Sequence, residues 1–437
     1  LSGKIPGEYK NLINLEYLTI GTNRPNSVYE TIPDWIFDLE NLIEIDLNGN
    51  HLVGPIPSTI GNLVNLKKID FGENKFTGNI PTTIGYLSTL NNFEIYENEL
   101  TGNIPTQVGK LQNLISFKAY SNQLESFPKE FGNCKSLEEI NLKDNNIDGA
   151  IPVEIGTIGW DEINKDNVFR YLDLSQNELT GNIPEEIGKL KMLQEIDLSN
   201  QRSVMTGEIP KKLGDLTNLQ VMNFSSLKQI TGNIPKEFKR LKNLKTLLLK
   251  DNNLSGNIPG ELCDMKNLEI LELQDNGLTG KIPEKVDKCK SLKTLKIDNN
   301  ELTGDLPNEI VKMLSLETLM LNNNALSGEL PDEIGEMESI KFLELQDNNF
   351  SGMIPGTIVD LTNLKTLKIG NNGLTGALPD KIGDLASLET LMLNNNGLTG
   401  ALPDSFGDMT SLETLMINNN RLKEALPDSI GDMTSLE

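Results

Sequence analysis

Apolar residues recur along the whole chain in one short pattern. Leucine or another aliphatic residue returns in the order L-x-x-L-x-x-L-x-L, and its L-x-L step alternates with a period of two. Such alternation predicts a short strand whose two leucines point into the core and whose central residue points outward. One unit cannot bury its leucines alone, whereas stacked units bury a continuous core. The pattern therefore predicts a stack of short strands.

The prolines mark the repeat most clearly. An Ile-Pro, Leu-Pro or Phe-Pro pair accounts for 18 of the 20 prolines, and from Pro235 onward every interval between them is 24 residues. Gly stands three residues before 15 of these 18 prolines. Proline fixes φ and withholds an N–H, and glycine permits positive φ, so each pair predicts a turn at the same place in every unit.

The full unit reads LxxLxxLxLxxNxLTGxIPxxIGx, as in LETLMLNNNGLTGALPDSFGD at 388–408. This unit resembles the leucine-rich-repeat family in its plant-type, 24-residue LTGxIP subclass, which occurs in receptor-kinase ectodomains and secreted inhibitors. The resemblance implies the α/β class, as a right-handed solenoid with a concave parallel β-sheet of about 17 strands and little helix. It also implies a short second strand at the Thr/Ser-Gly step.

The repeats predict one solenoid over residues 1–437, with strict 24-residue spacing over 233–437. Spacing is irregular near 21–32, 157–170 and 200–230, and the second of these carries Trp160. We interpret the extra residues as insertions that loops tolerate, in preference to a functional loop. An Asn recurs two residues before the inward Leu of each turn. We expect its amide to satisfy backbone groups that leave the sheet, which is a structural role.

Composition excludes several classes of function. Asp and Glu number 63 against 39 Lys and Arg, so the formal charge is −24. Such a chain repels nucleic-acid phosphate and anionic lipid, which argues against nucleic-acid partners and direct membrane contact. One His and three Cys leave little material for catalysis or a metal site. We therefore expect no enzyme activity, no metal and no cofactor.

The three cysteines admit two interpretations. Cys134 and Cys289 occupy a column that is otherwise Leu or Met, which favours buried thiols. Cys263 lies two residues earlier in the repeat next to that of Cys289, so a disulfide between them remains open if their Cα atoms lie within about 7 Å. The odd count and the Leu column favour thiols over this disulfide.

Three sequons give modest support for an extracellular or cell-surface location. They begin at Asn223, Asn253 and Asn349, and the last two follow the recurring Asn and should point outward.

The outward residue of each L-x-L step forms the most informative surface. Its first half is mainly acidic, which we interpret as solvated charge. Its second half brings out methionines, and exposed Met suits adaptable binding. We predict a ligand site made by five of these residues, Met320, Glu344, Lys368, Met392 and Met416. Thr366, Thr390 and Thr414 should form a flanking column.

These features predict noncatalytic recognition of a protein or peptide ligand by an extracellular or cell-surface module. The alternative is a structural scaffold subunit of an extracellular fibre or large assembly, with end-to-end contacts between stacking faces. Nearly identical final repeats motivate that alternative.

Overall fold

The computed structural model describes residues 3–21, 28, 30–161, 166–423 and 426–436. Their Cα positions group into two compact units, 1–230 and 231–437, which are treated separately below. A single solenoid over the whole chain stays a prediction. Part of the irregular segment near 21–32, namely 22–27 and 29, lies outside the described residues, as do 162–165 of the second irregular segment.

Each coil of either unit contributes one three-residue strand to a parallel sheet. The described strands number nine in the first unit and eight in the second, in agreement with the predicted total of about 17. In the first unit they are Tyr17–Thr19, Glu44–Asp46, Lys68–Asp70, Asn92–Glu94, Ser116–Lys118, Glu139–Asn141, Tyr171–Asp173, Glu195–Asp197 and Val221–Asn223. In the second they are Thr246–Leu248, Ile270–Glu272, Thr294–Lys296, Thr318–Met320, Phe342–Glu344, Thr366–Lys368, Thr390–Met392 and Thr414–Met416.

Neighbouring strands within a unit pair in register, so that equivalent residues lie side by side in columns. Leu343, Leu367 and Leu391, for example, are successive partners. The central residue of nearly every strand is buried, and the first and third residues form the sheet face. The predicted direction of the L-x-L side chains is confirmed. The central residue of the L-x-L step is the third residue of the strand, and it points outward.

Second strands of two to five residues follow at the predicted Thr/Ser-Gly step. They are Val53–Pro55, Lys75–Gly78, Glu99–Gly102, Gln123–Leu124, Asp148–Ala150, Glu178–Asn182, Met205–Glu208 and Lys228–Thr231, then Ser255–Asn257, Gly277–Gly280, Glu301–Asp305, Ala325–Glu329, Asn349–Ser351, Thr375–Gly376, Gly397–Gly400 and Arg421–Leu422. The irregular segment near 157–170 adds an antiparallel pair, Trp160–Asp161 with Asp166–Asn167.

Every helical segment of the described residues is a short 3₁₀ turn. Sixteen of the 18 begin directly after a repeat proline, whose fixed φ suits the start of a turn. Their bounds are Gly7–Asn11, Asp34–Asp38, Ser58–Asn62, Thr82–Tyr86, Thr106–Lys110, Lys129–Asn133, Val153–Thr157, Glu185–Lys189, Lys211–Asp215, Lys236–Arg240, Gly260–Asp264, Glu284–Lys288, Asn308–Lys312, Ile334–Glu336, Gly356–Asp360, Ile382–Asp384, Asp404–Asp408 and Asp428–Asp432. In the part of the chain that the structure describes, none is long and apolar enough to cross a membrane.

The recurring Asn is structural, as predicted. Asn177 is fully buried, and its Nδ2 donates to the carbonyls of Leu142 in the preceding coil and of Leu174 and Ser175 in its own, at 2.9, 3.0 and 3.0 Å. Its Oδ1 accepts from the N–H of Ile147 at 3.0 Å. Each such Asn therefore joins two coils.

The Asn pattern predicted from the sequence omitted one member. Gln201 takes the place of Asn in its coil, where its Nε2 donates to Leu174 and Leu198 at 2.9 and 2.7 Å and its Oε1 accepts from Leu179 at 3.0 Å. The longer side-chain amide of Gln201 makes the same kinds of hydrogen bonds as Asn does in the other coils. An amide at this position, rather than Asn itself, was the signal to seek.

The prediction of free thiols at Cys263 and Cys289 is wrong. Their sulfur atoms are bonded, and the Cα atoms lie 4.5 Å apart. Stacked coils are separated by about 4.8 Å, so residues at similar places in neighbouring coils come within disulfide reach. Cys134 is a buried free thiol, as predicted, and burial raises its pKa to about 12.

Candidate ligand-binding face

The five residues predicted to bind ligand lie in one row of the second unit. Register pairing places Met320 beside Glu344, Glu344 beside Lys368, Lys368 beside Met392 and Met392 beside Met416. Four are half-buried, and Met416 is exposed to 44%. The structure brings the row together, and ligand binding by it stays a prediction.

An ion pair divides this row. Lys368 Nζ lies 2.9 Å from Glu344 Oε1, with 26% and 14% of the two side chains exposed. The pair separates Met320 from Met392 and Met416, so the apolar surface consists of one single Met and one adjacent pair. The predicted threonines, Thr366, Thr390 and Thr414, occupy the first strand position beside it and are half-buried.

Unmatched acceptors lie along the same face and were not predicted. We call the residue two places after each strand the turn residue. The turn residues Gln274, Asp298 and Gln346 each carry a buried oxygen that receives no hydrogen bond within the described structure: Oε1, Oδ1 and Oε1, respectively. Such oxygens are costly to bury without a donor, so a ligand that supplies donors would gain binding energy here.

Asp298 is the one titratable residue among these three turn residues. Burial is the main cause that raises its pKa to about 6, and the negative charges of Asp275 and Glu344 add to the effect. A carboxylate with a raised pKa and an unpaired oxygen favours an incoming cation.

The acidic half of the predicted surface, in the first unit, is not a stripe of solvated charge. Asp70 and Asp173 are only 8% and 6% exposed. Their Oδ1 atoms accept from the N–H of the turn residue, Gly72 at 3.1 Å and Ser175 at 2.9 Å. A short carboxylate folds back onto its own turn in this way, which explains the recurrence of Asp in the column.

The same Asx turn is made in four further coils of the first unit. Its acceptors are Asp46, Asn141, Asp197 and Asn223. Because Asn serves as well as Asp, the turn needs the oxygen and not the charge. Burial is the main cause that raises the pKa values of Asp70 and Asp173 above their ordinary range.

A pair of stacked tyrosines covers part of the first unit's face. The rings of Tyr96 and Tyr120 lie 4.7 Å apart and nearly parallel, and Asn48 Nδ2 donates to the Tyr96 hydroxyl at 2.6 Å. Gly72 makes room, because a Cβ at that position would lie 2.5 Å from the Tyr96 ring. These turn residues therefore contact one another along the face.

The sequons differ in their surroundings. Asn253 and Asn349 are exposed, as predicted for their direction. Asn223 instead lies in the sheet, and its Nδ2 donates to Asp197 Oδ2 and Ser199 Oγ at 2.9 and 3.1 Å. A glycan at Asn223 would have to replace these contacts. Glycosylation at all three stays a prediction.

The irregular segment near 157–170 lines a cavity of the first unit. Its volume is 590 Å³, and Trp160, Lys189, Lys191, Lys212 and Asp215 line it. Lys191 is engaged, since its Nζ donates to the Gly188 carbonyl at 2.7 Å. Within the ranges described, no group of three or more His, Cys, Asp or Glu is placed to hold a metal ion.

Comparison with known families agrees with this architecture. The description "Leucine-rich repeat region" matches residues 154–281 and 356–437. The description "Leucine Rich Repeat" matches five single repeats, at 41–63, 65–87, 136–158, 291–313 and 315–337. No curated protein sequence matches the chain.

Solved structures match over nearly the whole chain. A TDR receptor is 29% identical with a TM-score of 0.90, and the match covers 99% of this chain and 73% of that one. The plant peptide hormone receptor RGFR1, in complex with RGF2, is 30% identical with a TM-score of 0.71, covering 100% and 79%. A leucine-rich-repeat protein of Leptospira interrogans is 30% identical with a TM-score of 0.72, covering 95% and 100%.

Repeat, register and similarity define a repeat protein built from coils with two short strands and a 3₁₀ turn. The chain belongs to the leucine-rich-repeat family, and its likeness to plant receptor ectodomains agrees with the plant-type repeat in its sequence.

Proposed function

We propose that the chain is a noncatalytic recognition module whose second unit binds an extended peptide or protein segment on its sheet face. The observation that carries this proposal is the row of half-exposed methionines beside three unmatched acceptor oxygens. Similarity to a peptide hormone receptor solved with its hormone supports it.

The unmatched acceptors give the ligand a chemical character. Gln274, Asp298 and Gln346 offer oxygens and no free positive charge, and Asp298 is the only acid among them. A Lys or Arg side chain of the ligand would donate to Asp298, and the methionines would contact an apolar residue further along. The pair of Glu344 and Lys368 would orient the ligand more than strengthen its binding.

An extracellular or cell-surface location fits the same proposal. The disulfide between Cys263 and Cys289 is the kind of bond that persists in oxidising compartments. Exposed sequons at Asn253 and Asn349 are compatible with glycosylation there. The alternative role, a scaffold subunit of a fibre or large assembly, stays a prediction. It would produce mass that grows with protein concentration.

Peptides selected from a random library of short linear sequences provide the test. We expect Met392→Glu with Met416→Glu to weaken binding of peptides selected on the parent at least about tenfold, because two Met side chains that the ligand would bury are replaced by charged ones. A matched control replaces Leu314 and Met353, which are 61% and 67% exposed and lie off the face, with Glu. Equal binding by the folded face variant and the parent would place the site elsewhere.

A further inference from the structure

A cleft in the turns of the second unit is lined by lysines. Lys242, Lys266, Lys288 and Lys290 surround a cavity of 420 Å³, together with Cys263 and Asp264. All four lysines are exposed. The cleft lies at the 3₁₀ turns, so it is separate from the sheet-face residues proposed to bind peptide.

The cleft is basic within a strongly acidic chain. Residues 236–296 contain 13 Lys or Arg and nine Asp or Glu, whereas the whole chain contains 39 and 63. Lys242, Lys266 and Lys290 are 24 residues apart and therefore form one column on three successive coils. The adjoining Cα atoms of Cys263 and Cys289 show how closely these coils stack, at 4.5 Å.

Several lysines elsewhere in this unit are arranged differently. Those at the start of the sheet face meet a glutamate on a neighbouring coil, with Lys293–Glu269, Lys341–Glu317 and Lys365–Glu389 each at 2.7 Å. In the cleft, Lys242 donates to the Asp264 carbonyl at 2.9 Å. Lys266, Lys288 and Lys290 have no acidic partner within 4.0 Å among the described residues. The ammonium groups of these three lysines can therefore pair with a bound polyanion.

We propose that this cleft binds an acidic polysaccharide. Lysine ammonium groups are point charges without the planar geometry of Arg, which suits a flexible chain carrying a charge on each sugar. The cleft residues lie in or next to 3₁₀ turns and not on a strand, so a peptide backbone would find no sheet edge to extend here. The lining residues include no aromatic side chain on which nucleic-acid bases could stack.

The test measures binding of polygalacturonate at several NaCl concentrations. The cleft variant carries Lys266→Glu, Lys288→Glu and Lys290→Glu. Its control carries Lys110→Glu, Lys129→Glu and Lys381→Glu, three exposed lysines with the same total charge change. We expect the cleft variant to bind at least about tenfold more weakly than the control, and its salt slope to fall by about two to three. A second cleft variant, with Gln in place of Glu, guards against misfolding caused by the new charges.

Equal losses in the cleft variant and the control would overturn the proposal, because net charge alone would then explain binding. Equal or tighter binding of poly-L-glutamate, matched in charge, would assign the cleft to acidic peptides instead. The variant with Met392→Glu and Met416→Glu should retain polygalacturonate binding. The polysaccharide site and the peptide site can therefore fail independently.

Discussion

The two units present sheet faces that differ in how most of their charged residues are held. In the first unit, short acidic residues fold back onto their own turns, and Asp173 accepts from Ser175 at 2.9 Å while only 6% of it is exposed. In the second unit, the same column carries longer residues that reach across coils, as in the 2.9 Å pair of Glu344 and Lys368. There, buried oxygens such as Asp298 Oδ1 have no donor within the described structure.

This difference shows that an acidic surface does not by itself offer free acceptors to a ligand. The sequence predicts the stronger electrostatic surface in the first unit, because its outward column is acidic. The geometry shows that the backbone already uses the Asp carboxylates of this column and that Glu94 pairs with Lys118 at 3.8 Å. Exposed methionines and four of the five unmatched buried oxygens of the described residues are on the second unit, whereas Ser225 Oγ is the unmatched one on the first, so we propose binding on the second unit.

The largest expected effect concerns the disulfide, which the described part of the first unit lacks. Replacing Cys263 and Cys289 with Ser should lower the free energy of unfolding of the second unit by about 2–4 kcal/mol, because the unfolded chain loses a constraint. Urea unfolding followed by hydrogen exchange measures this. Cys134→Ser is the control, and it should leave the second unit unchanged. Equal destabilisation of both units by the double variant would contradict the account.

Replacing the recurring Asn should cost more stability in the first unit than in the second. Asn177→Ala should cost about 1–3 kcal/mol, because it leaves buried backbone groups of two coils without partners. Asn300→Ala should cost less, since Asn300 is only half-buried although it makes equivalent bonds to Leu273 and Leu278 at 3.1 and 3.0 Å. Hydrogen exchange should rise mainly in the coils next to each change. A uniform rise along the chain would be inconsistent with local coupling.

The Asx turns predict that shape matters more than charge at Asp173. Asp173→Ala should cost about 1 kcal/mol by removing the acceptor for Ser175, whereas Asp173→Asn keeps the oxygen and removes a buried charge. Because burial raises the pKa of Asp173, its ionised form is disfavoured in the fold, and the parent should lose stability as pH rises through that pKa. Thermal unfolding at acidic and neutral pH should show a weaker pH dependence for the Asn variant. Equal loss in both variants would mean that the charge is required.

The smallest effect on stability is expected at Asp298, whose pKa is raised to about 6. Above that pH the fold holds an ionised, partly buried carboxylate, so stability should fall as pH rises through about 6. Asp298→Asn should remove this fall, with a gain below about 1 kcal/mol because the group is only half-buried. The same variant should weaken binding of Lys- or Arg-containing peptides. A variant that binds them as tightly as the parent would remove Asp298 from the site.

Coils and columns could be predicted from the sequence because each repeat carries its own strand, turn and Asn signals. The cysteine pairing could not, because the Leu column gave Cys289 an adequate role as a buried thiol, and only stacking distance decides the bond. The lysine column at 242, 266 and 290 has the repeat spacing and was readable in advance. The unmatched oxygen of Asp298 was not, because it depends on burial by neighbouring coils.

Methionine methyl NMR tests the central claim most directly, because the chain's 12 methionines report separately once each is assigned by a Met→Leu substitution. A peptide selected on the parent protein is added to methyl-labelled protein. The account predicts that the signals of Met320, Met392 and Met416 shift, while those of Met205 and Met222, buried in the first unit, stay in place. Saturating binding that leaves all three sheet-face signals unchanged would contradict the assignment of recognition to the second unit.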